Sequence, residues 1–168
     1  MRRIRLYLLM GVAVVLQISL LPALRLFDVV PNVALVMMVL CSVWIATSES
    51  LSVAVVAGAV LDIASGVNFG LWMGVMMTVS LAAGLTHRAG IELDQPFTPI
   101  AFVLAGTTLT TLVIWIGMAS SVMHWSFGVM AGRLGVELLL NLGLVIGLRP
   151  FVRMVLGGEG FEAKLGDR

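Results

Sequence analysis

Arg133, Glu137 and Asn141 stand in "RLGVELLLN" at spacing i, i+4, i+8, inside an otherwise apolar run. On a helix of 3.6 residues per turn this spacing sets them along one face, drifting by about 40° per step. A cation, an acid and an amide in such a row suit two jobs. One is a path for protons or a polar substrate; the other is an internal ion pair and an amide that lock the helix to its neighbours. A second isolated acid, Asp62, lies in "AGAVLDIASGVNFGLWMG" among Gly58, Gly66, Gly70 and Gly74, and Gln17 is a further polar residue in an apolar segment. An ionised group at the centre of a spanning helix costs about 2.5–3.5 kcal/mol on insertion scales, so each of these residues is expected to face protein or water.

The remaining chemistry-bearing types do not combine. His87 and His124 fall at opposite membrane faces once the apolar segments are threaded, so they share neither a metal nor a proton. No nucleophile–histidine–carboxylate set passes the same test. Cys41 is the single cysteine, which leaves no intrachain disulfide and no Cys/His metal spacing. It reads as a small packed residue, and the eleven methionines as adaptable packing. The expectation is a protein without catalytic site, metal or cofactor.

The elements that position these residues are apolar helices. Of the 168 residues 60% are hydrophobic and 11% charged, with a mean hydropathy of +1.11; soluble domains average roughly 45–50% and about 25%. The chain reads as an all-α polytopic integral membrane protein in a single transmembrane domain. A span needs roughly 20 apolar residues, and six segments qualify, at about 6–24, 31–46, 51–64, 69–86, 99–118 and 125–148, followed by a polar tail at 149–168. The basic start "MRRIRLYLL" resembles a signal sequence, but its apolar part is too long and lacks a cleavage site, so it reads as a retained first span. Pro31 suits the first turn of the second span, where a missing N–H is harmless. The polar "TSES" at 47–50 closes that span, and "RP" at Arg149–Pro150 stops the sixth.

Six spans place both termini on one side, together with Arg2, Arg3, Arg5, Arg88, Arg149, Arg153, Lys164 and Arg168, against Arg25 on the other. Cytoplasmic loops carry the excess of Lys and Arg, which puts both termini in the cytoplasm. A five-span threading separates the two basic termini and fits less well. The net charge of +1 offers nothing to nucleic acid. Gly66, Gly70 and Gly74 follow at i, i+4, i+8, a series that lets helix backbones approach closely. Gly66 is assigned to a turn needing positive φ, and Gly58, Gly70 and Gly74 to packing faces of the third and fourth helices, either internal or toward a partner helix.

At this hairpin the sequence resembles a known family. Gly58, Leu61–Asp62, Ser65, Gly66 and Gly70–Leu71 match the pattern of the rod shape-determining protein MreD family, and Pro31 in "VVPNVALVMMVL" fits as well. Where such proteins often have a glycine-containing turn before the third span, this chain has "TSES". The resemblance implies a non-enzymatic inner-membrane component of the bacterial cell-elongation machinery. It would bind the bitopic protein MreC and, through it, the actin-like MreB and the peptidoglycan polymerase–transpeptidase pair. It also implies a fold like the six-helix substrate-binding subunits of energy-coupling-factor transporters. The rival function is accordingly a vitamin-binding subunit of such a transporter, although the outward loops are short for a lid.

Asp62 lies about twelve residues into the third span and Arg133 about eight past Trp125, so at 1.5 Å per residue both sit about 12 Å below the outer face. This matching depth predicts that Asp62 accepts hydrogen bonds from Arg133, from the backbone of the Ser65–Asn68 turn, or from both; the alternative is a carboxylate that only caps that turn and reaches outward to water. The threading itself is checked by cysteine labelling in a Cys41-free background. A cysteine at Asp94 is expected to stay unlabelled by an impermeant reagent in intact cells; labelling there overturns the six-span topology.

Overall fold

A computed structural model describes residues 2–23, 29–43, 45–66, 70–89, 95, 97–119 and 127–156. The described elements are α1 (Arg2–Ser19), a 3₁₀ turn (Leu21–Ala23), α2 (Val33–Ser42), α3 (Thr47–Ser65), α4 (Leu71–Arg88), α5 (Phe97–Ala119) and α6 (Phe127–Leu156). Four stretches are long and apolar enough to cross a membrane: Ile4–Ala23, Thr47–Ser65, Phe97–Ile116 and Phe127–Leu156. Two further apolar helices, Val33–Ser42 and Leu71–Thr86, are shorter.

The core is built around α2. All ten of its residues are buried, and it packs against each of the other five α-helices. At 1.5 Å per residue it rises only about 15 Å, half the thickness of a hydrocarbon core. Leu35, Val36 and Met38 have no exposed surface, and Leu6, Met76, Val103, Val145 and Val152 close around them. The outer faces are apolar as well: Leu8, Ile63, Leu85, Leu139 and Met154 stand at least 64% exposed. A helix apolar all round is one that meets protein on one side and lipid on the other.

Several expected boundaries move. The second span, expected at 31–46, is helical only over Val33–Ser42, so Pro31 precedes the helix instead of opening its first turn. Asn32 takes the capping place, with its side chain accepting from the Leu35 N–H at 3.0 Å. "TSES" is the first turn of α3 and no loop. Its serine Ser50 is 1% exposed, and Ser80 Oγ donates to Ser50 Oγ (2.6 Å), which pairs with Ser42 Oγ (2.8 Å), which donates to the Met38 carbonyl (2.7 Å). That chain of hydroxyls satisfies itself, and a satisfied polar residue is no longer a reason to stay outside.

The expected stop at Arg149–Pro150 is also absent, since α6 runs on through Pro150 to Leu156. Proline removes one N–H and crowds the carbonyl four residues back, but Val152 and Leu156, at 0% and 2% exposure, are held in the core. Packing of that last turn outweighs the local cost. Residues 157–168 of the tail lie outside the described residues.

Helices α3 and α4 form a close antiparallel pair. A Cβ at Gly58 would collide with the Met73 backbone, whereas one at Gly74 would have no heavy atom within 4 Å. Gly74 is therefore on the outward surface of α4, which excludes the internal packing face and leaves the face toward a partner helix. A Gly58→Leu variant is expected to lose about 3 kcal/mol or more, at the upper end of overpacking costs, and Gly74→Leu to stay within about 0.5 kcal/mol of wild type, as for surface substitutions. Thermal unfolding in detergent followed by circular dichroism measures both.

Candidate functional site

Two helix starts inside the protein gather its polar side chains. The first four N–H groups of any helix lack intrahelical acceptors, and away from water each must find another. Helix α4 begins beside α3, and there Asp62, 2% exposed, supplies the acceptor. Its Oδ1 accepts from the Trp72 N–H at 2.8 Å, and its Oδ2 from Gly70 at 3.0 Å and Met73 at 3.2 Å. A negative charge at a helix N-terminus is favourable on dipole grounds as well.

The turn between these helices has the backbone its glycines permit. Gly66 ends α3 in the left-handed conformation at φ 63°, with its N–H on the Asp62 carbonyl at 3.2 Å. Gly70 has φ 96°, so it serves the turn and not the packing face assigned to it. Only glycine adopts such values without steric cost.

The second start is that of α2, tied to three other helices. Asn141 Oδ1 on α6 accepts from the Asn32 N–H at 2.7 Å, and Asn141 Nδ2 donates to Thr107 Oγ1 on α5 at 2.9 Å. Gln17 on α1 takes the Ala34 N–H on Oε1 at 3.4 Å and gives its Nε2 to the Pro31 carbonyl at 3.3 Å. Asn32 and Asn141 are 2% and 0% exposed. The Asn32 Nδ2 is buried without a hydrogen-bond partner.

The stripe on α6 is thus divided. Asn141 bridges α2 and α5, Glu137 is half-buried and accepts from Thr111 Oγ1 on α5 at 3.1 Å, and Arg133 is half-buried four residues before it. The proposed meeting of Asp62 with Arg133 does not occur. Among the described residues α6 packs against α1, α2 and α5, not against α3 or α4, and both Asp62 oxygens are engaged by the start of α4. Counting residues along each span put the two at one expected depth but said nothing of which helices are neighbours. Of the expected turn donors, Val67 and Asn68 lie outside the described residues, as does His124.

Sequence reasoning missed Asn32, Thr107, Thr111 and the Ser42–Ser50–Ser80 chain. Asn32 had a legible signal, an Asn just before an apolar run; the hydroxyls had none, because a serine or threonine in an apolar helix is equally suited to bonding its own backbone. Among the described residues no group of three His, Cys, Asp or Glu could hold a metal ion. Comparison of the chain with protein-family models, with curated proteins and with solved structures finds no match.

Asp62→Ala strands three backbone donors at once. Losing a cap costs about 0.5–2 kcal/mol and each buried donor left unsatisfied about 1–3 kcal/mol, so a loss of about 3 kcal/mol is expected, with Asp62→Asn retaining part of it. In a double-mutant cycle with Arg133→Ala the two losses are expected to add within about 0.5 kcal/mol. A larger coupling would show that the two side chains meet after all.

Proposed function

We propose that this chain is a non-enzymatic scaffold of the bacterial inner membrane, a MreD-like component of the cell-elongation and peptidoglycan-synthesis machinery. In this reading it is a six-helix bundle like the substrate-binding subunits of energy-coupling-factor transporters, with α2 and α4 as shortened spans and both termini cytoplasmic. It binds the transmembrane helix of a MreC-like bitopic protein, and through it an actin-like MreB and the polymerase–transpeptidase pair.

The observation that carries the reading is the use made of the signature residues. Gly58 admits the Met73 backbone, Asp62 caps α4, and Gly66 and Gly70 turn the chain between them. Each maintains the shape of a hairpin, and the acid that invited a chemical role is occupied by backbone amides. A component whose task is to present surfaces to partners needs that rigidity more than it needs reactive groups.

The outward face of α6 supports the same reading. Gly128, Gly132, Gly135, Gly143 and Gly147 are exposed along it, with no heavy atom within 4 Å of a Cβ at any of them. Small residues let a second helix come close enough for backbone packing to replace the hydrophobic drive that lipid abolishes.

Affinity purification from native membranes tests the function. Recovery of a bitopic MreC-like protein is expected, and Gly132→Leu with Gly143→Leu is expected to lower that recovery severalfold while leaving the melting temperature within a few degrees, as for surface changes. Recovery instead of an ATPase with a bound vitamin would establish the transporter reading and remove the scaffold.

A further inference from the structure

The start of α2 lies at the middle of the bundle. Asn141 is near the midpoint of α6 (Phe127–Leu156), and Thr107 near that of α5 (Phe97–Ala119). At a rise of 1.5 Å per residue, the nearer end of either helix is about 15 Å away or more. Asn32 shares that depth, since its N–H reaches Asn141 Oδ1 at 2.7 Å. It stands just ahead of α2, outside the helical residues. Non-helical backbone so deep in a membrane protein is tolerated only where protein encloses it or water adjoins it.

Every polar atom of Asn32 but one is answered. Its N–H is on Asn141, its Oδ1 accepts from the Leu35 N–H, and its carbonyl accepts from the Val36 N–H at 3.1 Å. Nδ2 has no partner, and at 2% exposure the residue meets neither bulk water nor headgroups. An amide nitrogen has two protons to donate, and an amide or carbonyl oxygen can accept twice. Two such oxygens flank the Asn32 peptide: Asn141 Oδ1, on its N–H, and the Pro31 carbonyl, which takes Gln17 Nε2 at 3.3 Å. Among the described residues each accepts that one bond and has a lone pair over, yet Nδ2 bonds to neither.

We propose that the start of α2 is a binding site for one resident water molecule, which accepts from Asn32 Nδ2 and donates to Asn141 Oδ1 and the Pro31 carbonyl. Buried waters make about three hydrogen bonds to polar groups that would otherwise go unsatisfied, and three are offered here. A helix N-terminus also attracts anions, but this one is already ringed by oxygens. Gln17 Oε1, Asn32 Oδ1 and Asn141 Oδ1 all face its amides, and an anion would have to lie against them. The side chains that meet there, Gln17, Asn32, Thr107 and Asn141, are all neutral. Water both donates and accepts, so it suits a mixed set that an ion does not. It belongs to the fold and is independent of any partner the protein binds.

The test uses the unmodified full chain, isotope-labelled and reconstituted in deuterated lipid bilayers. Magic-angle-spinning NMR follows the transfer of magnetisation from water protons to the protein. The Asn32 side-chain NH₂ is expected to receive it severalfold faster than the backbone amides of Met38, Val103 and Val145, which lie in the same core on α2, α5 and α6. Transfer to Asn32 no faster than to those amides, with all of them slow, overturns the site. Fast transfer to all of them overturns it too, because it would mean a water-filled channel and not one bound molecule. So does loss of the Asn32 transfer when gluconate in the buffer is replaced by chloride, which would mean that an anion takes the place assigned to water.

Discussion

A helix that begins inside a protein and away from water must have its first amides answered, and most of the polar chemistry of this chain follows from that requirement. An unsatisfied backbone group in hydrocarbon costs several kcal/mol. Helix α2 is ten residues long and wholly buried, so nothing outside the protein can supply its acceptors. Gln17 comes from α1, Asn32 from the segment just ahead, and Asn141 from α6, more than a hundred residues later. The amide of Asn141 then reaches Thr107. Capping one short helix thereby ties α1, α2, α5 and α6 at a single point.

The same requirement organises the other side of the bundle. Asp62 reaches across from α3 to the start of α4, and Gly58 lets the two helices come near enough for it to do so. At the far end of α2 the serine chain Ser80–Ser50–Ser42 joins α4, α3 and α2. Between lipid-facing helices there is no hydrophobic drive to hold register, and close backbone packing with interhelical hydrogen bonds takes its place. The buried polar residues sit where register has to be set.

This division of labour bears on function. Asp62 has three backbone partners, and Asn141 is bonded on both its oxygen and its nitrogen. What is presented outward is bare backbone along α6. A second helix can pack closely against such a face.

The apolar runs themselves determined that the chain is helical and membrane-embedded, because their length and composition admit little else. The turn at Gly66 was legible too, since a glycine before a polar dip answers a demand for positive φ that is local to a few residues. The lateral arrangement of helices was not legible. Depth along a span can be counted in residues, and that count set Asp62 and Arg133 level, but no count says that α6 neighbours α1, α2 and α5 and leaves α3 aside. Nor does local pattern foresee that "TSES" turns inward or that α6 survives Pro150. Ser50 finds partners 8 and 30 residues away, and Val152 and Leu156 are buried in the core shared by several helices. Those contacts exist only once all the helices have packed, so tertiary structure alone decided which polar residue answers which amide.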